Sequence, residues 1–160
     1  MEEVQTTTSG GKWEHFLPVA DMGIRGFGDT RAEAFAHAAL ALTAIICKPG
    51  AVRPEQPAAI RCEAPDEELC LADWLNALIY EMAVRGMLFS RFEIEIMSNV
   101  LTATAWGETV DRLRHQPAVE VKGVSYIELK PFEGRARTLG RPVSGRRMIV
   151  GRVVAGEGQS

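Results

Sequence analysis

Only two stretches of this sequence combine helix-length apolar periodicity with a capping signal at their start; the other apolar stretches are short and strand-like. The first follows Thr30-Arg31-Ala32-Glu33, a hydroxyl residue with a carboxylate three positions on, which is the pattern of a capping box; Asp29 is an alternative N-cap. Phe35, Ala38, Ala39, Leu42, Ile45 and Ile46 then recur at helical spacing and predict one buried stripe. Lys48-Pro49-Gly50 predicts the stop, with the lysine in the last turn where the helix dipole favours a cation. The second helix opens at Pro65-Asp66-Glu67-Glu68, carries Leu71, Leu75, Leu78, Ile79 and Met82 on its core face, and ends at Gly86.

Strand signals occupy the rest. A first strand begins at Trp13, a second covers Met22 to Phe27 after the break at Pro18, and others cover Ala58–Glu63, Val100–Trp106, Val119–Leu129 and Met148–Val154. Phe92, Ile94 and Ile96 alternate with Arg91, Glu93 and Glu95, the pattern of a half-buried antiparallel strand, with a short turn at Ser98-Asn99. Two helices among this many strands predict an α+β fold: a single domain with a mixed, largely antiparallel sheet packed against two main helices. A doubly wound parallel sheet needs more βα units than are present. The predicted organisation is a disordered Thr/Ser/Gly-rich segment over 1–11, a domain over 12–154 with an irregular Gly/Arg-rich stretch at 130–147, and a tail over 155–160.

A chain of 160 residues is long enough to bury a core, and its net charge of −3 lacks the basic excess of a nucleic-acid surface. If RNA enters its biology, another protein holds it. Cys47, Cys62 and Cys70 match neither a CxxC metal site nor a disulfide framework, and their apolar surroundings predict buried free thiols in a reducing compartment. The N-terminus has no apolar signal-peptide core, and the run from Ala32 to Cys47 is too short to span a bilayer, so the expected location is cytoplasmic, with no membrane partner.

Asp21 and Asp29 are separated by eight residues of predicted strand, roughly 26 Å when extended. That distance forbids one shared cation, whose ligands lie at about 2.0–2.6 Å. Asp29 precedes a helix and is read as a cap. Asp21 stands at a strand entrance with no helix to cap, which leaves an Asx-turn or a metal ligand that needs further oxygen donors. Gly23, Gly26 and Gly28 lie inside a strand, with no Gly-Lys-Ser/Thr after them, so they predict close backbone approach or strong twist instead of a phosphate loop. The histidines show no metal-ligand spacing: His15, alternating with Trp13, reads as a packed, hydrogen-bonded side chain, and His37 as a solvated one. Glu108 reads as a turn residue opening a polar loop to Pro117, and Lys122 stands mid-strand with its direction open.

Trp13-Glu14-His15, Ala20 to Thr30 with Glu33-Ala34-Phe35, Asp73-Trp74-Leu75-Asn76, Gly107-Glu108, His115 and Glu120 to Tyr126 together resemble the archease family, in order, over about residues 13–130. The resemblance implies a small, non-catalytic cytoplasmic protein that assists an RtcB-type RNA ligase. That ligase joins tRNA halves with GTP and Mn²⁺ through a guanylylated histidine, and the archease promotes guanylylation and turnover in tRNA splicing and RNA repair. RNA is then met only through the ligase. The resemblance further implies a divalent cation, commonly calcium, held by the Asp of a His-Thr-Ala-Asp motif and by a second Asp almost at the C-terminus. Asp21 matches the first, while Asp29 matches a variable helix-start position. His15, Glu108, His115 and Lys122 fall at site-adjacent or partner-facing positions. Pro18 and Val19 replace the His and Thr of the motif, and Met148 to Ala155 lacks the second Asp, with Val154 at about its place. Glu157 or the terminal carboxylate is the substitute ligand on offer. The alternative reading is a divergent small-ligand enzyme or binding module on the same fold.

Overall fold

The computed structural model describes residues 12–16, 21–131, 134–135, 142–143 and 147–157. The expected disordered segment at 1–11, the break at Pro18 and the end of the tail lie outside them.

The element order is β1 (Trp13–Phe16), β2 (Asp21–Gly28), α1 (Arg31–Ile46), a 3-10 turn (Pro49–Ala51), β3 (Gln56–Glu63), α2 (Glu67–Arg85), β4 (Met87–Met97), β5 (Val100–Thr109), α3 (Arg112–His115), β6 (Val119–Pro131), β7 (Gly134–Arg135), β8 (Pro142–Val143) and β9 (Arg147–Glu157).

Both long helices start where their caps predict. The Thr30 hydroxyl accepts the Glu33 N–H at 3.1 Å, and the Glu33 carboxylate accepts the Asp29 N–H at 2.9 Å. The cap is therefore Thr30, not Asp29, because the helix begins one residue later than an Asp29 cap requires. We expect Thr30→Ala to lower the unfolding free energy by about 1 kcal/mol in a urea titration. Asp66 caps α2 by accepting the Leu69 N–H at 2.8 Å, and Gly86 closes it at φ 63°, a left-handed conformation that glycine adopts without strain. Lys48 lies outside α1, whose C-cap is Cys47.

The α+β class holds, with the strands divided between two main sheets, all pairs antiparallel. One has the order β1-β2-β9-β6, the other β3-β5-β4, and β7 pairs with β8 in a small hairpin. Helix α1 packs against β2 of the first sheet and β4 of the second, so it is buried almost all round. The single stripe expected for it is too narrow: Ala34, Ala41 and Thr43 are also fully buried. Thr43 is accommodated because its hydroxyl donates to the Phe89 carbonyl at 2.7 Å. On the other side the α1 backbone lies directly on β2. A β-carbon at Gly28 would stand 2.3 Å from the Ala34 nitrogen, and one at Gly26 would stand 2.6 Å from the Ala38 nitrogen.

Helix α2 runs along β6, an edge strand whose free N–H groups would otherwise invite pairing with another chain. Asn76 accepts the Val124 N–H at 3.3 Å and Glu68 accepts the Leu129 N–H at 3.2 Å. Trp74, fully buried, ties α2 to α1 by donating its indole N–H to the Phe35 carbonyl at 3.2 Å. The three cysteines are buried and unpaired, and burial first, then the Cys70 and Asp73 charges, pushes the Cys62 thiol up to about 11. Among the described residues no helix is long and apolar enough to cross a membrane.

Candidate functional site

The residues singled out in the sequence separate into two places. The first is the end of the four-stranded sheet. Asp21 opens β2 and stands opposite Val154 of β9, which in turn stands opposite Gly123 of β6. The three positions form one row across adjacent strands, and strands at about 4.8 Å spacing put β2 and β6 about 10 Å apart. Lys122 is the extra residue of a bulge in β6, between the Val121–Ala155 and Gly123–Val154 pairs, so it sits beside this row. Its side chain is exposed, with the ammonium 3.3 Å from the Glu120 carboxylate.

Among the described residues the row offers a hard cation few side-chain oxygen ligands. Calcium takes about six to eight oxygen ligands, whereas the positions facing Asp21 across the sheet are a half-exposed valine and a glycine, neither with an oxygen-bearing side chain. Glu157 lies three residues beyond Val154, opposite Val119, about 10 Å further along the strand. Among the described residues no three His, Cys, Asp or Glu side chains stand together as a metal-holding group.

His15 belongs to the joint between β1 and α1. Its ring packs on Trp13 with centroids 4.8 Å apart, and its Nε2 donates to the Ala41 carbonyl at 2.9 Å. Burial holds the imidazole below its ordinary pKa, against the opposing effect of that hydrogen bond. His37, expected to be solvated, is half-buried, and its Nδ1 bonds the Phe27 carbonyl. The close approach of α1 to β2 over Gly26 and Gly28 brings it within reach.

The second place is a buried polar cluster at the end of the three-stranded sheet. Glu108 is not a turn residue: β5 runs through it to Thr109, and it pairs with Leu88 of β4. Strand continuation at this point depends on Gly107, where a β-carbon would lie 1.8 Å from the Leu88 carbonyl oxygen. The expected loop to Pro117 contains α3, capped by Asp111, whose carboxylate accepts the Leu113 and Arg114 N–H groups.

Glu108 Oε2 accepts from the Arg53 N–H at 2.9 Å, from His115 Nε2 at 2.8 Å and from Arg114 Nη2 at 2.7 Å. The Asp111 N–H donates to His115 Nδ1 at 2.8 Å, which leaves the Nε2 proton directed at the carboxylate. Burial alone would raise the Glu108 carboxyl. The Arg53 N–H, the Arg114 guanidinium and the His115 imidazole outweigh it and hold it at about 2, against an ordinary 4.5. A carboxylate that acidic is a poor proton carrier near neutrality. It acts instead as a latch joining β5, the Arg53 loop and α3. The sequence pairs Glu108 with none of these partners. The available signal was Asp111-Arg112-Leu113-Arg114-His115, whose capping residue and one-turn spacing place Arg114 and His115 on a short helix.

The described chain is thus a two-sheet α+β protein with a helix between its sheets, a C-terminal strand inserted beside Asp21 and a buried latch on Glu108. A profile of the archease protein family matches residues 13–136, and the chain belongs to that family. Protein archease of Pyrococcus furiosus is 36% identical over 123 residues, covering 74% of this chain and 87% of that protein. Protein archease of Methanopyrus kandleri is 34% identical over 122 residues, with the same coverage of 74% and 87%. The solution structure of Methanobacterium thermoautotrophicum protein 1598 superposes with a TM-score of 0.67 at 25% identity, covering 91% of this chain and 98% of that one. The family match stops at residue 136, before β9. The strand that faces Asp21 therefore lies in the part of the chain outside the profile match.

Proposed function

We propose that this protein is a non-catalytic activator of an RtcB-type, GTP-dependent RNA ligase, promoting guanylylation and turnover in tRNA splicing and RNA repair. Family membership across residues 13–136 is the observation that carries this reading. On this reading the sheet end where Asp21 and Lys122 lie is the contact surface, and RNA is reached only through the ligase. On this reading the buried Glu108 and His115 support that surface through the fold. The absence of a basic excess, at net charge −3, agrees with a protein that acts on another protein.

Purified protein added at stoichiometric concentration should raise the guanylylation rate of the cognate ligase. Asp21→Ala and Lys122→Ala should each reduce that activation by about tenfold, the loss of one charge-assisted contact. No acceleration, while an archease relative accelerates its own ligase in parallel, would sink the proposal. A second reading, a ligand-binding module that has left ligase activation behind, is favoured by Val154 facing Asp21. It predicts an unresponsive ligase.

A further inference from the structure

A cavity of about 510 Å³ opens where the end of α1, the C-terminal half of α2, α3 and the starts of β4 and β6 diverge. Its walls are apolar, built from Ile46, Ile79, Met82, Met87 and Val119. Two charged side chains line it, Arg112 from α3 and Glu120 from β6. Glu120 is neutralised by Lys122 at 3.3 Å. Arg85 pairs with Glu81, and Arg114 pairs with Glu108 and, at 3.9 Å, with Asp111, the residue before Arg112. The exposed Arg112 side chain has no hydrogen-bond or ion-pair partner among the described residues. Arg112 is therefore the unpaired cation lining the mouth.

The volume falls within the range of about 300–1,000 Å³ in which small ligands bind, and mostly apolar walls with few polar groups are the usual lining. An extended polypeptide fits poorly, because its N–H and C=O groups would enter walls that offer few partners, each unmade bond costing free energy. A sugar or nucleoside meets the same difficulty. We propose that this pocket binds a small amphipathic anion, an apolar body of roughly ten carbons carrying one carboxylate. The body lies against Met82, Met87 and Val119, and the head rests on Arg112. This site does not depend on ligase activation.

Decanoate, below its micellar concentration, is the probe. Calorimetric titration of the full chain is expected to give saturable one-to-one binding. In the same samples the methyl resonances of Met82 and Met87 should shift, while that of Met97, exposed at the far end of β4, should stay. Ala83 lines the cavity and is exposed, so Ala83→Trp fills the space without disturbing the core; it should abolish binding at an unchanged thermal midpoint. Arg112→Gln should weaken binding about fivefold, as expected for one exposed ion pair, and remove its dependence on salt. Absence of saturable heat and of methyl shifts in the wild-type protein overturns the proposal. Decanol binding as tightly as decanoate, with Arg112→Gln without effect, overturns the anion assignment. Saturable binding of an acetylated Leu-Asp-Leu peptide in place of decanoate overturns it in favour of a polypeptide ligand.

Discussion

Glu108→Ala is expected to lower the unfolding free energy by about 3 kcal/mol at neutral pH, the cost of breaking a buried charge cluster by removing one partner. The three donors now satisfied by Glu108 Oε2 would remain: the Arg53 N–H, His115 Nε2 and the Arg114 guanidinium. His115 is buried, so its Nε2 proton loses its acceptor where water has little access. Arg114 is a third exposed and retains the Ala51 carbonyl at 2.7 Å, so it contributes the smaller share. Urea unfolding followed by circular dichroism measures the difference, and a loss below about 1 kcal/mol would show that the cluster is not a latch.

The same carboxylate sets an acid dependence. Its folded-state pKa of about 2 lies below the ordinary 4.5, so the unfolded chain takes up the proton first as pH falls. The stability contributed by Glu108 is therefore fully present above about 4.5 and is lost as pH falls from there through about 2. Wild type and Glu108→Ala should converge in stability across that window. Curves that stay parallel would remove Glu108 as the source of the dependence.

Val154→Asp is expected to create divalent-cation binding, with Ca²⁺ affinity at least about tenfold above that of the wild-type chain, because each added carboxylate ligand raises the affinity of an oxygen site. The β2–β9 register places position 154 directly opposite Asp21, where adjacent strands bring facing residues to about 5 Å. Without metal the two carboxylates repel, so the variant should melt below wild type. Added Ca²⁺ should then raise its midpoint by mass action while leaving wild type nearly unchanged. Asp21→Ala on the Val154→Asp background should abolish the calcium response. An equal calcium response in wild type and variant would show that position 154 is not the missing ligand.

Much of the fold was legible in local patterns. Thr30 with Glu33 and Asp66 with its acidic neighbours placed both long helices, and the alternation from Arg91 to Ile96 placed β4, because caps and periodicity depend on residues within a few positions of one another. Local patterns mislead where distant groups decide. His37 read as solvated because its partner, the Phe27 carbonyl, comes close only when glycines let the helix lie on the strand. Glu108 read as a turn residue because its donors come from a loop near residue 53 and from α3.

The site divides in the same way. By itself the sequence determined the two helices, the α+β class, the family and the position of Asp21 at a strand entrance, all carried by short-range patterns or by ordered motifs. Tertiary structure alone decided what Asp21 faces. Strand β9 comes from the far end of the chain and inserts between β2 and β6. Its register is set by packing Ile149 and Val153 into the core, and that same register brings Val154 opposite Asp21.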